Sequence, residues 1–333
     1  APELTEQVMR RVYDTVFMTK KLFDEDPAQA VPGAKVYVDE PDAALWVKKD
    51  DTCFAIFRAT TMQIIDWLEN VPLGPPIELQ SPSGKTCLAI DAYYYAYYQT
   101  NFVDQFRSDI QGCVKSCGSK QCDLVIGGHS QGGGIAAIAA IDMEVLNPIV
   151  IASNQPPAIV DGGKGPCLAI DPKRYYRFIN TIVDAEGHLY YDPVSSLAFP
   201  DTTDWFDWLG DLFVLGEPDE GMVHYSNYIR PIILPTLWGP KAHLIDNILP
   251  KLESYMSNNV FPIPTDGWSD GSICNFNEEC QSALCYQNKC VATGSSGTPC
   301  NDASDCISGR CEVFMDVGIC RPKLEGGESC IND

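Results

Sequence analysis

The sequence is short of basic side chains, of histidine and of long apolar runs. Lys and Arg total 23 against 45 Asp and Glu, a formal net charge of −22. An excess of that size argues against nucleic acid as a partner and against docking on anionic lipid by charge. No apolar stretch approaches the roughly 20 residues that a membrane-spanning helix needs, so no integral membrane segment is expected. No Asn-x-Ser/Thr triplet with a permitted middle residue occurs, and N-glycosylation is not expected. Only four histidines are present, His129, His188, His224 and His243. Any chemistry that needs an imidazole has those four to draw on.

Cysteine, by contrast, is plentiful. Fifteen in 333 residues favour disulfides and a secreted or luminal protein. The first residue is Ala, not Met, as removal of a signal peptide would leave it. Hydrophobic residues make up 45% of the chain, enough for one large core plus a small appendage.

The stretch around which the chain is organised is Leu124-Val125-Ile126-Gly127-Gly128-His129-Ser130-Gln131-Gly132-Gly133-Gly134. Leu124 to Ile126 reads as a buried strand, and the Ala- and Ile-rich Ile135 to Val145 as a helix. Between them Gly128-x-Ser130-x-Gly132 fits a nucleophile elbow. A Ser hydroxyl is a weak nucleophile until a base takes its proton. A sharp strand-to-helix turn lifts it to where a base can reach. Flanking glycines let strand and helix crowd together, and the helix N-terminus faces the place where an oxyanion would form.

That stretch resembles the elbow of the α/β-hydrolase lipases, where Gly-His-Ser-x-Gly-Gly is typical. Three further segments resemble the fungal-type (class-three) lipases in particular. The strand Cys53 to Phe57 runs into Phe57-Arg58-Ala59-Thr60, similar to the family's F-R-G-[ST], with Ala59 in place of Gly. The resemblance implies that Thr60 shares the oxyanion hole with the backbone N–H of Gln131. Asp192-Pro193-Val194 is similar to the segment that carries the triad acid, which implies Asp192, with Asp184 as a rival nearer the strand end. His243, after Gly239-Pro240 and before a helix through Leu252, resembles the segment of the base. His224 is the rival there. His129 sits inside the elbow, so its side chain points elsewhere, and His188 lies between the two Asp candidates. The order Ser, Asp, His suits this fold.

The resemblance implies a doubly wound α/β-hydrolase sheet over residues 1–256. It also implies a serine hydrolase of carboxylic esters, a triacylglycerol lipase first, that needs no metal or other cofactor. The partner expected is an ester or lipid substrate, taken at an oil–water interface if Met62 to Trp67 forms a lid. A core-facing helix turn is the other reading of that segment. An esterase on polymer-linked or aromatic esters stays open, as does a binding protein built on an inactive hydrolase.

Other elements are read from pattern. Leu4 to Phe23 is an amphipathic helix, Ala44 to Trp46 a strand, and Asp91 to Phe106 opens a second helix rich in Tyr. Cys87 to Ile90, Pro148 to Ala152 and Tyr175 to Ile182 are strands. Asp201 to Phe213 is an aromatic loop or a second flap. Cys113, Cys117 and Cys122 read as a disulfide brace. Residues 257–272 form a linker without periodicity. Nine cysteines follow in 273–333, and Cys274-x5-Cys280-x4-Cys285-x4-Cys290 repeats as Cys300-x5-Cys306-x4-Cys311-x8-Cys320. Such units need staples to fold. First-to-third and second-to-fourth pairing is one of the three connectivities open to each. The tail is either a module binding a surface or partner, or a plain stalk.

Overall fold

The computed structural model describes residues 5–58, 76–117, 121–160, 167, 169–185, 189–192, 211–215, 222–225 and 244–258, together with five short strands between 285 and 320. The strands before the tail are β1 (Lys35–Asp39), β2 (Asp42–Lys49), β3 (Thr52–Phe57), β4 (Ile77–Gln80), β5 (Thr86–Ala89) and β6 (Asp123–His129). They continue with β7 (Ile149–Ser153), β8 (Ile159–Val160), β9 (Tyr175–Val183), β10 (Leu189–Tyr191), β11 (Asp211–Leu215) and β12 (Met222–Tyr225). The helices are α1 (Glu6–Lys21), α2 (Pro27–Ala30), α3 (Asp91–Tyr98), α4 (Val103–Lys115), α5 (Gln131–Asp142) and α6 (Leu249–Ser257).

One nine-stranded sheet runs β1-β2-β3-β6-β7-β9-β11-β12, with β10 beside β9. Its central strands β3, β6, β7, β9 and β11 are parallel. A parallel sheet is stable when both faces are covered, and β6 shows this residue by residue. Leu124 and Ile126 enter a core shared with Tyr93, Phe106 and Ile135 of α3, α4 and α5. Val125 enters the opposite core with Met9, Val12 and Val16 of α1 and Leu252 and Tyr255 of α6. This is the doubly wound α/β-hydrolase architecture expected from the sequence. Among the described residues, no helix is long and apolar enough to cross a membrane.

The amphipathic N-terminal helix is present as α1, capped by Thr5, whose side chain accepts from the Val8 N–H. The single helix expected from Asp91 is instead two. At the end of α3 the Thr100 hydroxyl donates to the Tyr97 carbonyl, and the Asn101 N–H donates to the Asp39 carboxylate. Both bonds compete with helix continuation, and the chain restarts as α4. The predicted strand at Cys87 lies in a separate three-stranded sheet, β4-β5-β8. Helix α5 ends at Asp142, short of Val145, and a 3-10 turn takes over at Glu144–Leu146. Asp211 to Phe213, expected in a loop or flap, belongs to β11, because its pairing with β9 supplies the backbone hydrogen bonds that a loop lacks. The rest of that segment, and the proposed lid at Met62 to Trp67, lie outside the described residues.

Disulfides staple the layers. Cys53–Cys113 ties β3 to α4, Cys117–Cys122 closes the turn into β6, and Cys87–Cys167 fastens the small sheet. The first and last close loops of 60 and 80 residues, each worth about 4 kcal/mol by loop-closure entropy. The chain divides into two compact units, residues 1–183 with 190–264, and 184–189 with 265–333. In the second unit, two hairpins have cysteines directly opposite each other, Cys285 with Cys290 and Cys311 with Cys320.

Candidate active site

The end of β6 delivers Ser130 as the cap of α5, with φ 56° and ψ −129°. A non-glycine residue in that region costs on the order of 1–3 kcal/mol and must be held by its surroundings. Backbone hydrogen bonds on both sides hold it. The Ser130 N–H donates to the Ser153 carbonyl at the end of β7 (2.9 Å), and the Ser130 carbonyl accepts from the Gly133 N–H (2.9 Å). The glycines on either side are required by contact. A Cβ on Gly128 would lie 2.4 Å from the backbone of Gly132, and one on Gly132 would lie 2.4 Å from the Phe57 carbonyl oxygen. The elbow inferred from Gly128-x-Ser130-x-Gly132 is therefore built as read, with Ser130 partly exposed.

The same contacts set the neighbouring strand. Phe57 pairs opposite Gly128, so β3 ends beside the first turn of α5 and the chain continues from there toward Thr60. Thr60 itself lies outside the described residues. Gln131 is the first residue of α5, at the positive end of the helix dipole.

Asp192 is fully buried, and its N–H donates to the Asn180 carbonyl at 3.2 Å. A relay of hydrogen bonds joins it to the elbow. The Asn180 N–H donates to Asn154 Oδ1 (2.8 Å), and the Asn154 N–H donates to the Phe178 carbonyl (2.7 Å). Asn154 directly follows Ser153, the residue that holds Ser130. Asp192 and Ser130 thus belong to one framework across the C-terminal ends of β6, β7 and β9. Asp184 directly follows β9 and is half-buried. The two asparagines were not assigned a role by sequence reasoning. The signals were a buried Asn within a strand, and an Asn just past a strand end, where φ at Asn154 is 47° and asparagine tolerates the left-handed region.

His129 is buried, with Nδ1 3.1 Å from Ser153 Oγ. Its partner is on the sheet, as expected of a histidine inside the elbow. His224 stands on β12, opposite Phe213. His188 and His243 lie outside the described residues. Burial pushes the Tyr175 hydroxyl up to about 12, so it stays protonated and donates to Gln155 Oε1 at 2.7 Å. Among the described residues, no cluster of three or more His, Cys, Asp or Glu is arranged to hold a metal ion.

Comparison with known proteins gives this geometry a context. Residues 54–161 match the family model of lipase (class 3), a stretch that runs from β3 through the elbow to β8. The fold and the matched segment are those of a carboxylic ester hydrolase. Among solved structures, a triacylglycerol lipase with a serine-protease triad superposes with a TM-score of 0.55 at 15% identity, covering 72% of this chain and 94% of its own. A lipase from Rhizopus microsporus var. chinensis gives 0.53 at 14%, covering 73% and 88%. A triacylglyceride lipase from Rhizomucor miehei gives 0.52 at 16%, covering 72% and 94%. Among curated proteins, no sequence matches the chain.

Proposed function

We propose that the chain is a secreted serine hydrolase that cleaves triacylglycerols through an acyl-enzyme on Ser130. The observation that carries this reading is the strained, glycine-flanked turn that holds Ser130 between β6 and α5. The substrate class follows the triacylglycerol lipases that share the fold. Secretion is supported by three disulfides in the described residues, which persist in an oxidising compartment.

In the proposed mechanism His243 takes the Ser130 proton as Oγ attacks the ester carbonyl. The backbone N–H groups of Gln131 and Thr60 receive the oxyanion, with the Thr60 hydroxyl as a further donor. The protonated His243 then gives its proton to the leaving alcohol. Water, activated by the same base, hydrolyses the acyl-enzyme. Asp192 holds His243 in one tautomer and stabilises its cation. Its burial within the hydrogen-bonded framework that also holds Ser130 supports this role.

Ser130→Ala should lower kcat by roughly 10⁴-fold or more while leaving the melting temperature within a few degrees of the parent. A fluorophosphonate probe should label the parent at Ser130 and leave the variant unlabelled. Near-normal turnover in the variant refutes the reading. A chain-length series of p-nitrophenyl esters, with and without an emulsion, separates a lipase from an esterase on soluble substrates.

A further inference from the structure

We infer that Arg58 is a positioning residue for the oxyanion arm, locking the exit of β3 onto the β1–β2 hairpin. The inference rests on the role proposed for Thr60 and names what sets the start of that segment.

The backbone at Arg58 is clamped on both sides. Its N–H donates to the Ala43 carbonyl at 2.9 Å, which continues the β2–β3 pairing one residue beyond Phe57. On the other side, the Phe57 carbonyl oxygen and the Arg58 carbonyl carbon would lie 2.4 and 3.0 Å from a Cβ on Gly132. Arg58, the last described residue before Thr60, is therefore held by both the sheet and the elbow helix.

Its side chain adds a third tie. Nη2 donates to Glu40 Oε2 at 3.1 Å and to the Pro41 carbonyl at 2.9 Å. The Arg58 side chain is only 11% exposed, whereas that of Glu40 is 68% exposed. An ion pair with one partner that exposed contributes little energy, so its value lies in geometry. The one planar Nη2 serves both acceptors, which holds the guanidinium against the hairpin in a single orientation. Besides its bond to Glu40, the Arg58 charge acts on the Asp42 carboxyl of the same hairpin. Lysine at the same place would keep the charge and lose the planar Nη2 geometry.

Oxyanion donors work only when they sit where charge develops, and a misplacement of about 1 Å can cost roughly 10²-fold in rate. In the full chain, Arg58→Met should lower kcat on a soluble p-nitrophenyl ester about 10- to 100-fold, with KM changed less than about 3-fold. A trifluoromethyl ketone, whose Ser adduct carries the oxyanion, should lose affinity by the same factor as kcat. Arg58→Lys should fall between parent and Arg58→Met. Glu40→Ala, which removes one acceptor at the surface, should lower kcat about 2- to 5-fold.

Parent-like kcat in a folded Arg58→Met overturns the inference, as does a loss confined to melting temperature or KM. If Arg58→Met does not fold, Glu40→Ala decides, and an unchanged kcat there overturns it. Fluorophosphonate labelling of the parent keeps the two claims apart. An unlabelled Ser130 overturns the acyl-enzyme reading and this inference with it. A labelled Ser130 with unaffected variants overturns the positioning role alone.

Discussion

Ser130 adopts a conformation that few L-residues take, and three neighbours explain how it can. Gly128 and Gly132 leave room for strand and helix to meet, and the Ser153 carbonyl fixes the turn from the next strand. Asp192 reaches the same edge through the backbone of Asn180 and the side chain of Asn154. We propose Asp192, rather than Asp184, as the acid, and substitution tests the choice. Asp192→Asn should lower kcat by up to about 10⁴-fold, since the base then loses control of its tautomer. Asp184→Asn should change it less than about 3-fold. The reverse ranking, measured under saturating substrate, would move the acid to Asp184. At this scale the sequence was informative wherever a residue type is forced. Glycine is forced by contact at the elbow, and a short carboxylate suits an acid that must be buried. Asn154 and Asn180 escaped notice because their role is to join two strands, and the partner of such a bond is not adjacent in sequence.

At the scale of elements, the β1–β2 hairpin joins structure and titration in one place. Burial, opposed by the Arg58 charge and reinforced by Asp39 and Glu40, pushes the Asp42 carboxyl up to about 6. An acid whose folded pKa is raised is easier to ionise in the unfolded chain. Stability is therefore lost as pH rises from the ordinary carboxylate range through about 6, and the loss is constant above that. Asp42→Asn should restore about 1–2 kcal/mol at pH 8, after allowance for solvent screening at a half-buried site, and close to nothing at pH 4. Thermal melts at the two pH values check the sign, and a larger gain at pH 4 refutes the assignment. The central strands and α1 were legible because each is an apolar run or an amphipathic repeat. The break between α3 and α4 was not. It is made by Asp39 reaching Asn101 across 62 residues, a contact that no local pattern encodes. The small sheet β4-β5-β8 was hidden for the same reason, since a short apolar run does not announce which sheet it joins.

At the scale of the whole molecule, the cysteines divide the chain. All six in residues 53–167 pair among themselves, so the catalytic segment keeps its staples without borrowing any from the C-terminal repeats. The sequence echo of Ser282-Ala-Leu-Cys285 and Ser308-Gly-Arg-Cys311 corresponds to two hairpins, each with cysteines at opposing positions. We propose that the region beyond the linker is a separate Cys-rich module and that hydrolysis does not need it. Truncation after Asp270 should leave kcat/KM on a soluble short-chain ester within about 2-fold, because every residue assigned to the chemistry precedes it. Mild proteolysis of the full chain should cut first within 257–272, whose sequence lacks the periodicity of a helix or strand. The repeats should resist until reduced, because cross-links limit the unfolded ensemble. A truncated chain that no longer folds would place the repeats in the structure of the enzyme itself. A truncated chain that turns over soluble ester normally but no longer retains an insoluble substrate would make them its means of attachment.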